Sequence, residues 1–158
     1  MGLSAACMPP PETRPQKAPD KTDIEKHILD KNKENDGSEA KLILIVEDEF
    51  DLASTLSMLF ELHGFRTLRA NNGQQALELL RAVMPDLVLS DCMMPLMDGI
   101  ALSRALRFNA ETAHLPIILM SAAAQWQDLS SAQFNAFVEK PFQFAVLLRE
   151  VDRLLSPS

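Results

Sequence analysis

The chain has 158 residues, 47% of them hydrophobic, and a formal net charge of −7. That length suits one domain with a tail, and that apolar share is enough for a packed core. The acidic balance repels phosphate backbones and argues against a nucleic-acid binder, while no run reaches the ~18 apolar residues of a membrane span.

Residues 1–40 hold Pro9-Pro10-Pro11, Pro15 and Pro19, mixed charges and no aromatic residue. Such a segment buries too little apolar surface to offset its ordering entropy. It reads as a disordered or weakly helical N-terminal extension, with one short helix possible over Thr22–Lys33. The N-terminus lacks the basic and then apolar pattern of a secretory signal. The two cysteines, Cys7 and Cys92, have no disulfide or metal spacing. Both features point to a reducing, cytoplasmic setting.

From Lys41 strand and helix patterns alternate. Leu42–Val46 is an apolar β-type run. Phe50–His63 is a helix with Leu52, Leu56, Leu59 and Phe60 inward and Gly64 ending it. Phe65–Ala70 is a second strand and Gly73–Met84 a second helix, carrying Ala76, Leu77, Leu80 and Val83. Asp86–Ser90 is strand three and Gly99–Asn109 helix three. Pro116–Met120 is strand four, followed by a poorly patterned helix within Ala123–Gln133. Ala136–Val138 is strand five. Phe142–Leu155 is the last helix, with Phe144, Leu147, Leu148, Val151 and Leu155 available for packing.

Alternating β and α units of this kind form an α/β fold, a parallel sheet with helices on both faces. Strands one, three and four are continuously apolar, as central parallel strands are. Strand two mixes polar and apolar residues and suits an edge. These features predict a flavodoxin-like, doubly wound five-stranded sheet of order 2-1-3-4-5. Chemistry in such sheets gathers at the carboxyl ends of the strands. At those ends stand Glu47 and Asp48, Asp91, Ser121 and Lys140. Three carboxylates in one cleft repel one another unless a cation lies among them. An all-oxygen donor set favours a hard ion such as Mg²⁺.

The motifs Ile45-Val46-Glu47-Asp48-Glu49, Asp91-Cys92-Met93-Met94-Pro95-Leu96-Met97-Asp98-Gly99, Leu119-Met120-Ser121-Ala122 and Glu139-Lys140-Pro141-Phe142 occur in that order. With them, residues 41–158 resemble the receiver domain of two-component response regulators. The resemblance implies a phosphoacceptor role for Asp91, which takes a phosphoryl group from a histidine kinase or phosphotransfer protein. It implies Asp48 and Asp91 as direct Mg²⁺ ligands, Glu47 as the other acid-pocket position, and the backbone carbonyl of Met93 as a further ligand. Lys140 matches the lysine that bonds the phosphoryl group. Ser121 matches the hydroxyl that moves toward it, and Phe137 the aromatic switch. Pro141 matches a proline that follows a cis peptide bond. The protein is then a signalling phosphoprotein, not an enzyme, working through an unknown downstream protein.

The interval from Ser121 to Lys140 is shorter than is usual in the family. Gln133-Phe134-Asn135-Ala136 replaces the customary small-residue turn. The helix between strands four and five is therefore expected to be short or irregular. Met93, Met94 and Met97 are expected to pack, and Asp98-Gly99 to start a helix. With no output domain after Ser158, the expected form is a stand-alone receiver, monomeric or weakly dimeric, that binds neither nucleic acid nor membrane. The alternatives are a receiver module cut from a hybrid kinase or larger regulator, or a phosphate-independent pseudo-receiver. A flavodoxin-like cofactor enzyme fits poorly, because acidic Glu47-Asp48-Glu49 stands where a glycine-rich phosphate loop would be.

Overall fold

The computed structural model describes residues 39–122, 129 and 132–156. The expected N-terminal extension, with the short helix possible over Thr22–Lys33, lies outside the described residues except for Glu39 and Ala40. So does the helix expected within Ala123–Gln133, except for Leu129, Ala132 and Gln133.

Five strands are described, β1 (Leu42–Val46), β2 (Arg66–Ala70), β3 (Leu87–Asp91), β4 (Ile117–Ala122) and β5 (Ala136–Lys140). The helices are α1 (Phe50–Leu62), α2 (Gly73–Leu80), α3 (Gly99–Phe108) and α4 (Phe144–Leu155). The sheet is wholly parallel, in the order β2-β1-β3-β4-β5. It is the flavodoxin-like doubly wound order predicted from the mixed polarity of β2.

Side chains alternate across a strand, so each central strand feeds two cores. Leu44, Val46, Val88, Ile117 and Leu119 pack with Ala76, Leu80, Leu102 and Leu106 of α2 and α3. Ile43, Ile45, Leu87, Leu89, Ile118 and Met120 pack with Leu56 and Phe60 of α1 and Leu147 and Val151 of α4. Phe60 is fully buried, and its ring meets Phe65 and Phe144 edge-on at 5.8 and 5.0 Å. Among the described residues no helix is long and apolar enough to cross a membrane.

Several boundaries differ from expectation, and local chemistry explains them. α2 ends at Leu80 rather than Met84. Pro85 disfavours helical geometry at Met84, and the chain leaves the helix through turns at Arg81 and Ala82. α4 starts at Phe144 rather than Phe142, after an extended Gln143 cap. β3, β4 and β5 each run past their expected ends, so Asp91, Ser121 and Lys140 are strand residues rather than loop residues. Ladder pairing with neighbouring strands continues beyond the last apolar side chain.

Candidate functional site

The carboxyl edge of the sheet gathers Glu47, Asp48, Asp91 and Lys140. Glu47 directly follows β1, where its N–H donates to the Ala70 carbonyl at 3.0 Å. Its side chain is buried and accepts from the Glu49 N–H at 3.1 Å. Asp91 closes β3 and is 8% exposed. Glu47, exposed Asp48 and Asp91 each present a carboxylate oxygen within 4.8 Å of the others. The Lys140 ammonium reaches Glu47 Oε2 at 3.0 Å and Asp91 Oδ2 at 3.3 Å, tying β5 to β1 and β3. The peptide between Lys140 and Pro141 is cis.

The electrostatics follow from this geometry. Burial pushes the Glu47 carboxyl above its ordinary pKa of 4.5. The Glu49 N–H opposes that rise, the Asp91 charge adds to it, and the Lys140 ammonium offsets part of it. Burial by itself would depress Lys140, but the charge of Asp91 and the bond and charge of Glu47 outweigh burial and hold its pKa above 10.5. Three carboxylates against one ammonium leave two formal negative charges in the cleft. Oxygen donors and a net deficit of two positive charges fit a hard divalent cation.

Asp91 is also held through its backbone. Its carbonyl accepts from the Ser90 hydroxyl at 2.9 Å. Gly99 approaches so closely that a β-carbon there would lie 2.1 Å from the Asp91 carbonyl oxygen. The Gly99 N–H donates to the Cys92 carbonyl at 3.0 Å, which fastens the start of α3 under the end of β3. Asp98 caps α3 by accepting from the Ala101 N–H at 2.7 Å, so Asp98-Gly99 starts a helix as expected. The sequence signal for Gly99 was that helix start; its close approach to Asp91 depends on tertiary packing and was missed.

Ser121 is buried in β4, in the alternating row of Ile117 and Leu119 that faces α2 and α3. Asp91 continues the opposite row, Leu87 and Leu89. Cys92 neighbours Ser121: burial raises the thiol to about 11, and a hydrogen bond with Ser121 offsets part of the rise. A thiol so placed is almost entirely protonated at neutral pH and unreactive. Phe137 is half-buried, with its ring 6.2 Å from that of Phe134. The packing expected of the methionines holds for Met94 and Met97. Met93 is corrected: its side chain is 58% exposed, because it stands on the loop leaving β3 rather than over the sheet.

The family model for the response regulator receiver domain matches residues 43–152. This chain belongs to the response regulator receiver family. The receiver is 42% identical over 116 residues to the regulatory protein AtoC of Escherichia coli, a match covering 72% of this chain and 25% of AtoC. It is 32% identical over 117 residues to protein PilH of Pseudomonas aeruginosa, covering 72% and 97% of the two chains. The receiver thus spans about a quarter of AtoC and nearly all of PilH. It is also similar to the receiver domain of sensor histidine kinase PA1611 from Pseudomonas aeruginosa, at 28% identity and a TM-score of 0.69, covering 73% and 98%. That structure carries a magnesium ion coordinated in its active site cleft.

Proposed function

We propose that this receiver, residues 41–158, accepts a phosphoryl group on Asp91 from a histidine kinase or phosphotransfer protein. The observation that carries this reading is the position of Asp91 at the end of β3. There it lies 3.3 Å from the Lys140 ammonium and within 4.8 Å of two further carboxylates. An Asp91 carboxylate oxygen attacks phosphorus, the phosphorus–nitrogen bond of the donor phosphohistidine breaks, and its electron pair leaves with the imidazole nitrogen. The product is an aspartyl phosphate.

Glu47, Asp48, Asp91 and the Met93 carbonyl would hold Mg²⁺, as the chemistry of the donor set favours. When bound, the ion neutralises charge on the phosphoryl oxygens. The remaining work belongs to the chain. Lys140 exchanges a carboxylate contact for a phosphoryl oxygen. The phosphoryl group carries nearly two negative charges beside β4, where the Asp91 carboxylate carried one. Ser121 turns from the α2–α3 side toward that acceptor, and Phe137 repacks as the β4 end shifts. The two arrangements differ in population rather than in fold. The output is contact with a downstream protein, by a cytoplasmic, monomeric or weakly dimeric signalling protein that is not itself an enzyme.

A second reading, a receiver module of a larger regulator, is favoured by the match to only 25% of AtoC. It leaves the chemistry at Asp91 unchanged. The test is an amide NMR titration with Mg²⁺ and beryllofluoride, a phosphoryl mimic. The expected result is shifts at Asp91, Met93, Ser121 and Lys140; an unchanged spectrum at saturating Mg²⁺ and mimic overturns the proposal.

A further inference from the structure

The loop from Cys92 to Asp98 carries the Met93 peptide past Asp91, with the Met93 N–H 3.4 Å from Asp91 Oδ1. Near its far end the Met97 N–H donates to the Pro95 carbonyl at 2.8 Å, closing a three-residue turn. The central residue, Leu96, has φ +68°, a left-handed conformation that strains a leucine. Leu96 is 82% exposed, so its own side chain does little to hold that turn. Met97 does hold it. Its carbonyl accepts from the Gly73 N–H at 3.0 Å, and its side chain packs against the α2–α3 core.

Gly73 is the first residue of α2, and a left-handed φ is not what calls for glycine there. The reason is space. A β-carbon at position 73 would lie 2.6 Å from Met97 Cγ, 2.9 Å from Sδ and 3.0 Å from Cβ. The side chain of Met97 fills the place that any larger residue at 73 would occupy.

We propose that Gly73 and Met97 are positioning residues for the acidic site. The notch at Gly73 sets the path of the loop and through it the placement of the Met93 peptide. The inference rests on the functional reading above, in which the Met93 carbonyl is a Mg²⁺ ligand. Neither residue touches the ion or the phosphoryl group.

The test is calorimetric titration of the whole chain with Mg²⁺ alone, in a double-variant cycle. Gly73→Ala drives Met97 and its loop from their place. Met97→Ala removes the side chain that fills the notch. Each is expected to weaken Mg²⁺ binding by about tenfold, the usual order for residues that orient metal ligands. Gly73→Ala with Met97→Ala makes room for the new methyl and is expected to bind more tightly than Gly73→Ala alone. Additive losses, or single variants with wild-type affinity, overturn the inference. Should Gly73→Ala fail to fold, unchanged Mg²⁺ affinity in Met97→Ala overturns it by itself. A wild-type chain that binds no Mg²⁺ overturns the functional reading instead, so the two failures are distinct.

Discussion

Glu47 shows how a single side chain makes the cleft demand a cation. Its carboxyl is buried, faces Asp91, and keeps a raised pKa despite the Lys140 ammonium at 3.0 Å. A folded-state pKa above the ordinary 4.5 means that the folded protein holds this proton more tightly than the unfolded chain. Stability contributed by Glu47 is therefore greatest at low pH and falls as pH rises from 4.5 through the raised value. Lys140 follows the same sign in a higher window: its contribution is complete below 10.5 and is lost as pH rises through its raised value. Glu47→Gln removes the buried charge while keeping the shape. In metal-free buffer at pH 7 its midpoint of thermal unfolding is expected to exceed that of the wild type, with a flatter pH dependence above 4.5. An equal or lower midpoint contradicts this account. The carboxylates were legible in the sequence because each follows an apolar run. The contact between Lys140 and Glu47 was not, because the two are 93 positions apart and meet only through the strand order.

At the scale of elements, strands were legible from their apolar runs and helices from their spacing, but their ends were not. Ladder pairing carried Asp91 and Lys140 into β3 and β5, and Pro85 shortened α2. The entry to β5 shows what local sequence could not supply. Gln133-Phe134-Asn135 stands where the family's small-residue turn would be, and the Asn135 side chain joins the neighbouring elements. Asn135 Oδ1 accepts from Arg107 Nη2 at 2.6 Å and from the Ile117 N–H at 2.9 Å. Its own N–H donates to the Ile117 carbonyl at 2.8 Å. Arg107 also donates to the Leu115 carbonyl at 2.7 Å, so the end of α3 and the starts of β4 and β5 share one polar junction. Asn135→Ala leaves the Ile117 N–H and one guanidinium arm without this acceptor, which costs about 1–3 kcal/mol. Urea unfolding checks this; a loss below about 0.5 kcal/mol, the scale of an ordinary surface change, contradicts it.

For the whole molecule, the strand order decides where chemistry is possible. β1 and β3 are neighbours at the centre of the sheet, and the chain crosses from one face to the other between them. Their carboxyl ends open a crevice at this switch point. Glu47 and Asp48 stand on one side of it and Asp91 on the other, with Lys140 reaching across from β5. In the proposed function Asp91 accepts a phosphoryl group at that crevice. The most direct measurement is to incubate the chain with Mg²⁺ and acetyl phosphate, trap the acyl phosphate with borohydride, and map the modified residue by mass spectrometry. Modification at Asp91, absent from Asp91→Asn, is the predicted result; modification of another residue, or undiminished labelling of Asp91→Asn, contradicts the account.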